Sequence, residues 1–320
     1  MKKVLISLFA VAAMVSCSND ELVELNQEVI AFGDAFVDNS TRGAVDPSYN
    51  ATNLAQFNVY GAVKAYTNPV TYVNLFDGDV VTKGTVDYGE AWTIDPNAPV
   101  QYWLKSAPYI FDAVVDATSV TTDTNTGLPT SLNWNYSTQK DMLHNRVTTT
   151  GKPTTNNGLV SFTFTHLLSK IKFTVENTTP AEVTNYRYRI GNIVITDANL
   201  AGDCSVPEHT WTITNNNTYS GIADVVVASG TTEECANEVL LIPGVDADDK
   251  VGIAFNVNVE MEDGADNWKL ITTRTESFPN HIKLNANTAY NFKVTVGLNE
   301  TIEFTAQPVE SWTNAPVDLL

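Results

Sequence analysis

Residues that carry chemistry are scarce in this chain. Its 320 residues include three cysteines, four histidines and four methionines, and 18 Lys and Arg stand against 37 Asp and Glu for a formal charge of −19. No basic run of any length occurs, which excludes the clustered Lys and Arg that drive binding to nucleic acid. The histidines, His144, His166, His209 and His281, have no metal-ligand spacing among them, so no metal site is expected. Nucleophile elbow, P-loop and dinucleotide fingerprint are missing as well. Neither catalytic residues nor a cofactor is expected, and the chain does not read as an enzyme. Two acidic turns, DADD at 246–249 and MEDGADN at 261–267, do not fit the spacing of a calcium loop and read as solvated turns. Amphipathic helices longer than two turns and short-period repeats are also lacking. The apolar run from Val4 to Val15, broken by Ser7, falls short of the roughly 20 residues that a bilayer span needs.

What the chain does have is strand and turn chemistry: Thr, Val, Asn, Tyr and Phe in abundance. Apolar residues alternate with polar ones at Val160, Phe162, Phe164; at Ile171, Phe173, Val175; at Ile253, Phe255, Val257, Val259; and at Phe292, Val294, Val296. A period of two means half-buried strands. Many short strands with turn signals between them predict an all-β chain built of β-sandwiches. A hydrophobic content of 43% is enough for a sizeable core. Patterning is weakest from Thr118 to Gly158, where two polar loops containing Gly and Pro flank Trp134 and Tyr136. The second loop is the expected domain boundary, giving an N-terminal sandwich over 43–157 and a C-terminal one over 158–320. Trp92, Trp103, Trp211, Trp268 and Trp312 sit in or beside apolar patterns and read as core or interface residues. Trp134 reads as the exposed one, and His166 as a hydrogen-bonded strand histidine.

The first residues have the form of a sorting segment. Lys2 and Lys3 precede the apolar run, and Val15-Ser16 precedes Cys17. This resembles a lipoprotein signal over 1–16, with Cys17 as the lipidation site. Acyl chains on Cys17 would anchor the chain at about 0.8 kcal/mol per buried methylene. Residues 17–42 then form an N-terminal arm that begins with an acidic cluster, Asp20, Glu21 and Glu24. With Cys17 assigned to lipid, Cys204 and Cys235 remain as an even pair outside the cytoplasm. They are open to a disulfide of roughly 3–4 kcal/mol or to two buried free thiols.

Four stretches and the tail, taken in order, resemble the fimbrillin family, the pilin and pilin-like lipoproteins of Bacteroidetes type V pili. They are VIAFGDAFVDNSTRG from Val29, FNVYGAVKAY from Phe57, QYWLKSAPYIFDAV from Gln101 and VSFTFTHLLSKIKFTVEN from Val160. The tail IKLNANTAYNFKVTVGLNETIEFTAQPVESW runs from Ile282 to Trp312. The resemblance implies two tandem transthyretin-like β-sandwich domains. It further implies a precursor exported to the outer-membrane surface as a lipoprotein and cleaved by an Arg-specific protease. The subunits would then assemble into a pilus, with a strand from another subunit filling the vacated groove.

The residues of the arm fit that scheme. Ile30, Phe32 and Phe36 alternate on one face of a strand whose other face is apolar or small, so the strand is expected to lie within a sheet. The polar loop that follows, Asp38 to Gly43, suits proteolysis between Arg42 and Gly43. Its loss would expose unpaired backbone and an apolar groove, a template for strand addition. The expected donor is the tail, through Ile302, Phe304, Ala306, Val309 and Trp312. The expected partners are other pilus subunits, the lipid anchor before processing, and a host protein or glycan receptor. The alternative function is a surface glycan-binding lipoprotein that does not polymerise.

Overall fold

The computed structural model describes residues 28–37, 54–65, 70–84, 92–264, 267–298 and 302–308. They form an all-β structure of 19 strands. The first nine are β1 (Phe32–Val37), β2 (Gln56–Ala65), β3 (Thr71–Lys83), β4 (Trp92–Ile94), β5 (Pro108–Val115), β6 (Ser119–Thr122), β7 (Pro129–Asn135), β8 (Leu143–Thr150) and β9 (Val160–His166). Five more follow: β10 (Ser169–Asn177), β11 (Tyr186–Ser205), β12 (Thr210–Tyr219), β13 (Val225–Ala228) and β14 (Thr232–Glu234). The last are β15 (Val239–Leu241), β16 (Gly252–Glu262), β17 (Trp268–Ser277), β18 (Thr288–Val296) and β19 (Glu303–Pro308).

Seven strands close into a barrel in the order β1-β4-β3-β2-β5-β8-β9. Closure removes free sheet edges, which otherwise recruit other strands. The rest of the chain makes two sheets, one running β17-β16-β11-β7-β6 with β12 and β13 on β11, the other running β14-β10-β18-β19 with β15 on β10. The alternation read from the sequence carries through. Val160, Phe162 and Phe164 point into the barrel, while Ile171, Phe173, Val175, Ile253, Phe255, Val257, Phe292, Val294 and Val296 are buried between the two sheets.

Strands β8 and β9 pair within the barrel, so sheet membership changes between His166 and Ser169. The weakly patterned region holds three strands, β6, β7 and β8, between its loops. Strands β6 and β7 form a hairpin, and β7 leaves the barrel half to pair with β11, Leu132 opposite Cys204 and Trp134 opposite Gly202. A third apolar cluster fills the space this creates. It joins Tyr60, Ala62 and Val114 of the barrel wall to Leu132, Trp134, Trp211, Leu240 and Ile242. Trp134, read as exposed, is fully buried there, and its Nε1 donates to the Lys140 carbonyl at 2.7 Å. Burying an indole with its N–H satisfied is the stable use of so large an apolar side chain.

Candidate functional site: a strand slot in the barrel wall

The arm is threaded into the barrel by a short ladder. The Trp103 N–H donates to the Glu28 carbonyl at 2.9 Å and the Ile30 N–H to the Gln101 carbonyl at 2.8 Å. Val29 faces Tyr102 between these bonds. The Val160 N–H then donates to the Ala31 carbonyl at 3.0 Å. Beyond it β1 runs parallel to β9 and antiparallel to β4, touching β4 at the single pair Phe32–Trp92. The arm is therefore a wall strand between β9 and β4.

Side chains hold it as well as backbone. Phe32 is 2% exposed, and its ring meets those of Phe57, Phe76, Phe111 and Phe162 at centroid separations of 6.4, 5.5, 6.2 and 6.1 Å. Burying one such ring contributes about 1.5–3 kcal/mol, and each well-placed aromatic pair adds about 0.5–1.5 kcal/mol. Ile30 enters the same core. The register on β9 shifts between Phe32 and Ala35, and Ala35 joins Ile30 and Phe32 in the core. A bulge between Phe32 and Ala35 thus brings Ala35 into the core beside Phe32. Phe36 pairs with Thr163 through its backbone. Gly33 sits at the bulge because nothing larger fits: an added Cβ would lie 2.8 Å from the Cβ of Leu159.

At the mouth of the slot the Glu28 carboxylate meets Lys152 Nζ at 2.9 Å. A cavity of about 340 Å³ opens beside this pair, lined in part by Trp103, Lys105, Ser106 and Gly151. Glu28 is 59% exposed at its side chain, so the pair adds register more than stability.

The tail residues Ile302, Phe304 and Ala306 lie at or in β19. β19 is the edge strand of its sheet, antiparallel to β18, with Phe304 opposite Val294 and Ala306 opposite Phe292. Ile302 packs against the core between the two sheets. Cys17, Arg42, Gly43, Val309 and Trp312 lie outside the described residues.

The disulfide is not formed. Cys204 and Cys235 are both free and buried, and they belong to different apolar clusters, Cys204 to the one joining the halves and Cys235 to the one between the two sheets. Burial pushes both thiols up to about 12, so both stay protonated and unreactive at neutral pH. An even count of cysteines carried no information about which core each one fills.

Of the histidines, His166 has the expected hydrogen-bonded place, its Nδ1 lying 2.7 Å from Asp141 Oδ2. A second network was not legible in the sequence. His144 Nε2 lies 2.9 Å from Asp112 Oδ1, and its Nδ1 lies 2.8 Å from His209 Nε2. Arg146 Nε donates to both Asp112 oxygens, and its Nη2 to the Pro129 carbonyl. The partners come from β5, β8 and the turn after β11, so linear spacing could not bring them together. Burial and the neighbouring His144 lower His209 to about 4. This chain of groups satisfies buried charge where the barrel meets the second half. In the acidic turn at 246–249, Asp246 and Asp249 accept backbone N–H groups of their own loop. No cluster of three or more candidate metal ligands occurs among the described residues.

The model of the fimbrillin-like family matches residues 41–312, and the chain belongs to that family. Solved structures agree in fold at low identity. A fimbrial protein from Bacteroides vulgatus aligns with a TM-score of 0.60 at 13% identity, covering 88% of this chain and 99% of that one. A candidate cell adhesion protein from Bacteroides ovatus gives 0.54 at 16% identity, covering 90% and 98%. Another from Bacteroides uniformis gives 0.51 at 15%, covering 89% and 98%. No curated protein matches the chain.

Proposed function

We propose that this protein is a structural or adhesive subunit of a cell-surface pilus, exported as a lipoprotein on Cys17 and made competent for assembly by cleavage between Arg42 and Gly43. Membership of the fimbrillin-like family supports the pilus or adhesin role. One observation carries the mechanism: the arm strand closes the barrel between β9 and β4, with Phe32 at the centre of four phenylalanine rings. Removing residues up to Arg42 takes that strand away. It leaves an apolar slot with unpaired backbone groups on both sides, which an incoming strand from another subunit fills. The expected donor is the tail around Ile302, Phe304 and Ala306. The glycan-binding alternative needs exposed aromatic platforms. Among the described tryptophans, Trp92, Trp103, Trp134 and Trp211 are buried, and Trp268 is covered by the guanidinium of Arg187 at 4.2 Å.

Arg42→Ala tests the processing step. Mature protein from cells should begin at Gly43, and the variant should keep its arm and lose high-mass, denaturant-resistant polymer. Polymer unchanged by the substitution overturns the processing step.

A further inference from the structure

The cavity at the rim of the barrel gathers positive charge on a chain whose formal charge is −19. Lys105 and Lys152 both line it. Lys152 Nζ already holds one carboxylate, that of Glu28 at 2.9 Å, while Lys105 meets no acid among the described residues. More than half of the Glu28 side chain is in solvent, and an exposed ion pair contributes little. A carboxylate from outside can therefore displace it.

The walls are held in place for such a guest. The Leu104 N–H donates to Tyr109 Oη at 2.5 Å, the Gly151 N–H to the Ala107 carbonyl at 2.8 Å, and the Thr149 hydroxyl to the Gly151 carbonyl at 3.1 Å. These bonds tie the turn at 104–107 to the end of β8. Gly151 has a φ of +68°, and an added Cβ would lie 3.2 Å from the Ser106 nitrogen, so the two segments approach as closely as a glycine allows. Trp103 packs edge-on against Tyr109 with ring centroids 4.8 Å apart. Its Nε1 is buried with no acceptor among the described residues, whereas buried N–H groups normally have one. The hydroxyls of Ser106 and Thr150 complete the polar lining. No guanidinium fork of the kind that favours phosphate lines the cavity. Its volume of about 340 Å³ is at the small end for ligand pockets and suits one ring rather than a length of polymer.

We infer that this cavity binds an acidic sugar, a single ring whose carboxylate takes the place of Glu28 on Lys152 while Lys105 adds charge at the rim and the ring hydroxyls meet the polar lining. Glu28 is then a built-in competitor. The inference rests on the adhesive reading above for its biological sense and gives that reading a ligand class. It does not rest on cleavage of the arm, since seven of the eight lining residues belong to the barrel body. Recognition by charge and hydrogen bonds needs no exposed aromatic platform.

Titration of the purified full chain with glucuronate, galacturonate and N-acetylneuraminate, followed by NMR, tests the site, with glucose and acetate as controls. At least one of the acidic sugars should bind, and more weakly as salt rises. Lys152→Met and Lys105→Met should each weaken binding about tenfold, and Glu28→Gln should tighten it several-fold. Binding of none of the three acids overturns the site. Glucose or acetate binding as tightly as the acidic sugars overturns the ligand class. Affinity unchanged by both lysine substitutions, in variants that melt like the parent chain, places the ligand elsewhere and overturns the site as well. The pilus reading is decided separately by Arg42→Ala, whose outcome none of these titrations moves.

Discussion

The barrel is closed by a strand of six residues whose register breaks once, whereas β10 and β18 in the second half pair without a break from Ser169 to Asn177. Their cores differ in the same sense. The barrel interior gathers the rings of Phe32, Phe57, Phe76, Phe111, Phe162 and Phe164 with Trp92, Trp103 and Tyr109 among Ile, Leu, Val and Ala side chains. The second half is filled mainly by Ile, Val and Leu from many strands, with Phe173, Phe255, Phe278 and Phe292 among them. A long ladder spreads stability over many backbone bonds. A ring cluster concentrates it in a few large side chains. The arm strand thus enters the barrel core through few residues, whereas in the second half β11 alone pairs with β7, β12, β13 and β16.

The largest expected effect tests this contrast. Phe32→Ala should cost about 3–5 kcal/mol and loosen the barrel alone. Amide hydrogen exchange should rise in β1, β4 and β9 while β10, β16 and β18 keep their protection. Phe292→Ala, a truncation of equal size in the other core, should expose the second half instead. Equal loss of protection in both halves from either variant would mean that the third apolar cluster makes them one cooperative unit, and the contrast would fail.

A smaller effect is expected from Glu260 on β16. Its carboxylate accepts from Arg187 Nε at 2.6 Å and from Arg189 Nε at 2.7 Å. Burial raises this carboxyl, but the hydrogen bonds from Arg189 and Arg187 outweigh it and hold the group below the ordinary glutamate value. Glu260→Gln should cost about 1–3 kcal/mol by leaving two guanidinium groups poorly paired. Denaturant unfolding would measure it, with the loss confined to the second half.

The smallest is a pH effect where the halves meet. His209 titrates near 4 in the folded chain and near 6.5 when unfolded. Below about 6.5 the unfolded chain binds the extra proton and the folded chain does not, so stability falls as pH drops from about 6.5 toward about 4. The loss should be on the order of 1–2 kcal/mol once solvent screening of the half-open ring is included. His209→Asn should flatten that slope in melting curves taken across the window. An unchanged slope would assign the pH dependence to other groups.

Much of the fold was legible because alternation is a local signal. Strands β9, β10, β16 and β18 declare themselves through Phe, Val and Ile at every second position. Strands β6 to β8 did not, because Thr and Asn dominate them and Trp134 is buried by β11, which lies some seventy residues away. The arm's place was legible from two apolar faces, but its bulge was not, since Gly33 is needed only where Leu159 approaches. Likewise, nothing in the linear sequence places Cys204 and Cys235 in separate cores, or brings His144 and His209 within 2.8 Å of each other.

The hairpin of β6 and β7 has a consequence for the order of folding. Strand β7 is finished at Asn135, yet its ladder partner spans Ala201 to Ser205. As the chain emerges from its N-terminus at about 5–20 residues per second, the hairpin waits several seconds for the residues that will cover it. All seven strands of the barrel are available once His166 has emerged, so a closed first half can greet the second while still holding out one unshielded ribbon for it to build upon.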